Sequence, residues 1–234
     1  MKTKGNNMIG IIGAMQEEIE LLVARIESCN EKNFEGFDFF VGKLEGVSVV
    51  ILRSGIGKVS AALGVAMMRE HFQPDCIINT GSAAGLKSDM SVGDVVISSK
   101  VAYYDVDVTT FGYELGQVPK MPPAYEADQH LVELAEQSKG KEAIHTGLVV
   151  SGDSFIDDDA KVKQIASNFK DALALDMEAG AIAQACFMLN ISFVIIRSIS
   201  DVADNDAKMA HEEFLAIAAK SSSDMIVRVL DKIS

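Results

Sequence analysis

Continuous apolar runs alternate with amphipathic stretches along the chain. Met8–Ala14 (MIGIIGA) reads as a buried strand, and Gln16–Ile26 as a helix with acidic residues in its first turn, where the helix dipole favours them. Phe37–Leu44 and Val47–Leu52 alternate apolar and polar positions around Glu45-Gly46, which predicts a hairpin. Gly57–His71 reads as a helix closed by Pro74, and Cys76–Asn79 as the next buried strand. Val92–Tyr103 predicts one strand or two, Asp128–Lys139 a helix, Ile144–Ser151 a strand and Asp159–Phe169 a helix. Met209–Lys232 predicts a closing helix with Phe214, Ile217, Ala218, Met225 and Val229 at apolar positions. This alternation predicts one α/β domain over residues 8–233, with a mixed, mostly parallel central sheet flanked by helices; residues 1–7 form a short N-terminal extension.

The most informative stretch is Ala172–Asp204. Ala172–Asp176 predicts a short buried strand, Met177–Asn190 a helix with almost no charge beyond Glu178, and Ile191–Ile199 a second buried strand. Strand, helix and strand predict a βαβ unit whose parallel strands end on one sheet edge. Polar residues gather at those ends: Asp176 and Glu178 after the first strand, Arg197, Ser200 and Asp201 at the end of the second. Ligands bind at that edge in open α/β sheets. An ion pair tying two strand ends together explains the same residues equally well.

Composition narrows the classes. The 234 residues are 48% hydrophobic and 24% charged, as expected of a globular domain, with a net charge of −13 that argues against nucleic acid as a partner. Cys29, Cys76 and Cys186 are isolated and odd in number, which suggests reduced thiols in the cytoplasm and no metal site. Met8–Met15 ends at once in Gln-Glu-Glu, so it is not read as a signal peptide, and no apolar run has transmembrane length.

Several turns carry candidate chemistry. Gly10-Ile-Ile-Gly13 has the wrong spacing for a dinucleotide fingerprint, and Gln16, Glu17 and Glu18 place negative charge where a pyrophosphate would lie. Glu18 suits a general base, or a carboxylate that only favours the helix dipole. Ser54-Gly55-Ile56-Gly57-Lys58 is too short for a phosphate loop and fits a tight turn. Asn79–Gly85 (NTGSAAG) exposes backbone groups and the Ser82 hydroxyl without the nucleophile-elbow pattern; a sharp turn alone would look the same. Phe155 suits stacking on a flat base, with the Ile156 backbone at its edge, or simply a core position at a strand end. Asp105–Tyr125, with Phe111, Tyr113, Pro119, Pro122 and Pro123, is long and aperiodic for a plain connector.

Asp-Met-Glu-Ala at 176–179, followed by Arg-Ser-Ile-Ser-Asp at 197–201, resembles the nucleoside phosphorylase/hydrolase superfamily, most closely its methylthioadenosine/S-adenosylhomocysteine nucleosidases. The similarity spans residue 8 to about 220 and implies a nucleoside phosphorylase-like fold. It also implies a hydrolase that cleaves the N-glycosidic bond of those two nucleosides, releasing adenine and a thioribose. It identifies Glu18 with the water-activating glutamate and Asp201 with the acid that protonates the base, the two acting as in sugar hydrolysis. It assigns Met177 and Glu178 to the ribose and Phe155 and Ile156 to adenine. Met15, Ile56, Ser82, Ala83, Ala84, Arg197, Ser200, His211 and Phe214 complete the substrate-binding set. Ala84 departs from the family's Gly-Ser-Ala-Gly-Gly, Asp176 from a glutamate of some members, and His211 from a phenylalanine. The resemblance implies no cofactor, a small-molecule nucleoside as partner, and no membrane. It implies a homodimer in which Phe111 and Pro119 line the neighbour's pocket. The rivals are a phosphorylase of the same fold, a non-catalytic nucleoside-binding module, and a Rossmann oxidoreductase, which the missing glycine fingerprint disfavours. Only Arg197 of the five arginines falls in a matched motif, which weighs against a phosphate site.

Overall fold

The computed structural model describes residues 8–202 and 211–233, with the backbone alone at 201, 202, 211 and 212. The expected extension 1–7 lies outside the described residues. In chain order the elements are β1 (Met8–Gly13), α1 (Gln16–Val23), β2 (Glu27–Phe34), β3 (Phe37–Leu44), β4 (Val47–Arg53) and α2 (Lys58–Phe72), then β5 (Cys76–Gly85) and β6 (Val95–Tyr103). They continue with β7 (Tyr125–Glu126), α3 (Gln129–Gln137), β8 (Ile144–Ser151), α4 (Asp159–Asn168), β9 (Ala172–Asp176), α5 (Ala179–Leu189), β10 (Ser192–Val202) and α6 (His211–Ile233).

Strand parity distributes the core. Ile12, Val50, Leu52, Ile77 and Ile195 point to one face and meet α2 and α5; Ile11, Val49, Ile51, Ile78, Val194 and Ile196 point to the other and meet α1, α3 and α6. Burial on both faces explains why these strands read as unbroken apolar runs rather than alternating ones. It also explains α5, which packs on the sheet beside α2 and buries Ala179–Ala183 and Cys186.

The sheet is mixed, in the order β10-β6-β8-β9-β5-β1-β4-β3-β2, with β7 beside β6 and a further pairing of β10 with β5. That pairing closes β5, β10, β6, β8 and β9 into a ring, from which β1, β4, β3 and β2 extend as an open sheet. β5 belongs to both parts. Its first residues pair with β1 (Cys76–Asn79 against Ile9–Ile12), and its last with β9 (Ala84 and Gly85 against Leu175 and Ala174). On its other side β10 runs parallel throughout, from Ser192↔Cys76 to Val202↔Gly85, with a register shift between Ile199 and Asp201.

Two expectations change, and one strand was not expected at all. Asn79–Gly85 is not a turn but the second half of β5, because β10 supplies hydrogen-bond partners along its whole length. β9 and β10 are not parallel neighbours: β5 lies between them, parallel to β10 and antiparallel to β9. Glu27–Phe34, which has no hydrophobic alternation, is an exposed edge strand joined to β3 through Glu35-Gly36. Both residues there have positive φ (51° and 88°), as do Glu45 and Gly46 (50° and 77°), the geometry of tight hairpin turns.

Asp128 ties two elements at the opposite end of the strands from Asp176. One carboxylate oxygen caps α3, accepting from the N–H groups of His130 (3.0 Å) and Leu131 (3.2 Å), and the other accepts from the Ser192 hydroxyl (2.7 Å) at the start of β10. Asp128→Ala is therefore expected to lower stability by about 1–2 kcal/mol in chemical denaturation. An unchanged midpoint would mean that water replaces both contacts at no cost.

Candidate active site

Between the point where β1 leaves β5 (Asn79↔Ile12) and the point where β9 joins it (Ala84↔Leu175), one edge of β5 has no strand beside it. Residues 80–83 there offer backbone groups to side chains. Glu18, the third residue of α1, fills the gap. Its Oε1 accepts from the Ser82 N–H (3.0 Å) and hydroxyl (3.3 Å), and its Oε2 from the N–H groups of Ala14 (2.7 Å) and Met15 (3.1 Å). The small residues of β5 follow from this crowding. Gly81 has a φ of +147°, and a Cβ on it would run into both the Arg197 guanidinium and the Glu18 carboxylate.

Behind Glu18 lies Arg197, 0% exposed. Its Nη2 is 2.5 Å from Asp176 Oδ2 and 3.2 Å from Glu178 Oε2; its Nη1 is 3.8 Å from Glu18 Oε1 and 3.4 Å from the Thr80 carbonyl. Burial alone would lower its pKa, but Asp176, Glu178 and Glu18 overcome that and hold it above the ordinary arginine value. Backbone amides hold the carboxylates as well. Asp176 accepts from the Ala179 N–H at the start of α5, and Glu178 Oε1 from the Gly57 N–H (2.9 Å) at the start of α2.

A cavity of about 230 Å³ opens over this cluster. That is below the range of about 300–1,000 Å³ for drug-sized ligands, so it suits one small ligand and not a dinucleotide. Its walls bring together Met15, Glu18, Ile56, Ser82, Ala83, Ala84, Phe155, Ile156, Met177, Glu178 and Ser200. Ser200 sits at the register shift of β10, its hydroxyl 3.4 Å from the Ala83 carbonyl. Asp201 lies on the strand opposite Ala84, and His211 opens α6; the side chains of both lie outside the described residues.

Of the expected site residues, Arg197 and Phe214 do not line this cavity, while Phe111 and Pro119, expected at a neighbour's pocket, are exposed. Arg197 forms the support beneath the cavity rather than its wall, because its guanidinium is spent on three carboxylates. Phe214 is half-buried and does not reach the cavity; Leu215, turned by about 100° on the same helix, does. Phe111 is 79% exposed and Pro119 is also exposed, away from this chain's own cavity. Conversely, Ala14, Ser154, Leu175, Asp176 and Leu215 line the cavity without having been assigned to it. Asp176 was legible as a charge at a strand end; the others follow from backbone path and helix phase.

Comparison with known proteins fixes the family. Residues 8–231 match the model of the phosphorylase superfamily. A 5′-methylthioadenosine/S-adenosylhomocysteine nucleosidase of Halalkalibacterium halodurans is 47% identical over 227 residues, covering 96% of this chain and 98% of that one. The nucleosidase of Neisseria meningitidis, solved in complex with methylthio-immucillin-A, superposes with a TM-score of 0.93 at 43% identity, over 97% of this chain and 99% of that one. That of Colwellia psychrerythraea, in complex with adenine, gives 0.94 at 40% identity over 100% and 98%. The chain belongs to the methylthioadenosine/S-adenosylhomocysteine nucleosidase family of the phosphorylase superfamily.

In this nucleosidase-family chain the charged cluster carries a pH signature. Burial above all pushes Glu178 up to about 7 from an ordinary 4.5; Arg197 and the Gly57 N–H pull it down, and Asp176 and Glu18 push it up. The folded chain therefore holds a proton between those values that the unfolded chain releases. The stability this gives is fully present below 4.5 and is lost as pH rises through about 7. Denaturation midpoints of the wild type should fall, relative to those of Glu178→Gln, as pH rises from about 5 to about 8. Parallel curves would show that this carboxyl titrates normally.

Proposed function

We infer that the protein hydrolyses the N-glycosidic bond of 5′-methylthioadenosine and S-adenosylhomocysteine, releasing adenine and the corresponding thioribose. The observation that carries the choice of water over phosphate is the charge of the cavity. Three carboxylates, Glu18, Asp176 and Glu178, line it, and the one arginine beneath is engaged by all three. Among the described residues no cation lines the cavity. The family membership and the adenine and inhibitor complexes of related nucleosidases support the same reading.

In this reading the base stacks on Phe155 with its edge against the Ile156 backbone, and Glu178 and Met177 hold the ribose. Asp201 protonates adenine N7, so that the base leaves neutral, while Glu18 takes a proton from the attacking water, with the Ser82 hydroxyl as a second partner for it. In its ionised form Glu178 favours the oxocarbenium-like transition state. Arg197 touches neither substrate nor water; it keeps the carboxylates in place. Residues 8–233 act as one catalytic unit, and the reduced state of Cys29, Cys76 and Cys186 suits the cytoplasm.

The proposed assembly is a homodimer. Ile56 just before α2, Val59 and Leu63 in its first two turns, and Phe187 and Met188 at the end of α5 are large, apolar and exposed, and the two helices pack side by side. Val106, Val118 and Met121 of the long loop pack onto this chain's own core, which leaves Phe111 for a neighbour.

Incubation of the protein with methylthioadenosine should yield adenine and free methylthioribose whether or not phosphate is present. A sugar phosphate formed only with phosphate would overturn the hydrolytic reading. For the assembly, Glu18→Gln and Phe111→Ala subunits are each expected to turn over slowly, and exchange between them should restore part of the activity by creating one intact pocket. No rescue, or a monomer in sedimentation at micromolar concentration, would rule out a composite site.

A further inference from the structure

Beside the cavity, outside its walls, Lys58, Asp105 and Asp153 form a closed ring of contacts that the reaction as described does not use. The Lys58 ammonium donates to Asp105 Oδ1 at 2.6 Å and lies 4.6 Å from the centre of the Tyr103 ring. The other oxygen of Asp105 accepts from the Asp153 N–H at 3.0 Å, and Asp153 Oδ1 accepts from the Lys58 N–H at 2.8 Å. Two glycines let the ring close. A Cβ on Gly152 would lie 2.6 Å from the Tyr104 ring and 2.8 Å from the Asp105 carboxyl carbon; one on Gly57, where φ is +91°, would lie 3.0 Å from Asp153 Oδ1.

Each side of the ring adjoins one half of the cavity. Lys58 follows Gly57, whose N–H holds Glu178, and Ile56, which lines the wall. Asp153 precedes Ser154, Phe155 and Ile156, which also line the cavity. This segment has no regular secondary structure, and Phe155 is 65% exposed. Its further tethers come from the Tyr104 hydroxyl, which donates to the carbonyls of Ser154 (3.0 Å) and Gly152 (3.3 Å). Asp105 and Lys58 are each about three-quarters buried, so the pair is screened less than a surface ion pair.

We propose that Lys58, Asp105 and Asp153 are positioning residues that lock the base-facing loop to the ribose-facing start of α2, so that one ionic ring sets the distance between the two halves of the substrate site. The proposal rests on the nucleosidase reading for what the two halves bind. Its distinguishing feature is reach. A local support of the loop would affect the base alone, whereas the ring acts on both halves at once.

The test uses the full chain and reads binding separately from turnover. In K58M, the dissociation constants of adenine and of methylthioribose, by calorimetry, should both rise about tenfold, and KM for methylthioadenosine should rise more than kcat falls. D105N should give the same pattern, the double variant should be little worse than either alone, and K58R should recover most of the loss. Weakened adenine binding with unchanged methylthioribose binding would reduce the ring to a loop support and overturn the proposal. So would wild-type affinities in a folded K58M. Should K58M lose its fold, D105N, which keeps the size of the side chain, decides by the same two affinities. A wild-type protein that fails to hydrolyse methylthioadenosine would instead strike at the nucleosidase reading, since the affinities are measured without turnover.

Discussion

A buried guanidinium held by three carboxylates is the constraint on which the site depends. Taking a single charge out of water costs several kcal/mol, and Arg197 meets that cost only because Asp176, Glu178 and Glu18 surround it. The carboxylates in turn outnumber the arginine and need donors of their own. The starts of three helices supply them: Glu18 lies in the first turn of α1, Glu178 accepts from the residue that precedes α2, and Asp176 accepts from the first residue of α5. Helix N-termini carry partial positive charge, so their convergence holds three acids together without a further cation. Glu178 shows the limit of that compensation, since its proton affinity remains raised.

The topology that makes this convergence possible is the double membership of β5. A strand that pairs with β1 at its start and β9 at its end must pass residues with no strand on that side. The unpaired backbone there would be costly if left without partners. Glu18 takes the Ser82 N–H, and Arg197 reaches the Thr80 carbonyl. Side chains that stand in for a missing strand are thereby drawn into one place, and the cavity forms above them. The crevice arises where strand order changes, as in open α/β sheets generally, although here the sheet also closes on itself.

Much of this was legible in the residues, and the failures have physical reasons. Doubly buried strands announced themselves through unbroken apolar runs. β2 did not, because an exposed edge strand carries no hydrophobic period; its Glu35-Gly36 turn is the same signal as the recognised Glu45-Gly46, but nothing apolar led into it. Asn79–Gly85 looked like a turn because small residues suit turns and crowded strands alike, and only the Arg197 and Glu18 side chains decide between them. The gathering of Asp176, Glu178 and Arg197 was readable at strand ends. Their relative roles were not, since the choice of wall or support depends on distances a sequence does not carry. Leu215 rather than Phe214 at the wall is a matter of one helix step.

The contrast between floor and mouth bears on how such a site selects water. At the floor every carboxylate has fixed donors, so the negative charge cannot turn away from an incoming group. With an effective dielectric constant of about 20, a unit charge about 6 Å from one carboxylate is disfavoured by about 3 kcal/mol, and a phosphate dianion by twice that. In the proposed reaction water meets no such term and finds an acceptor in Glu18. Lys58, beside the cavity, has its ammonium on Asp105 and is unavailable to neutralise an anion. At the mouth, Ile56 is 55% exposed and Phe155 65%, and there hydrophobic cover rather than charge decides what fits. Reaction type is thus set where the chain is most constrained, and substrate breadth where it is least.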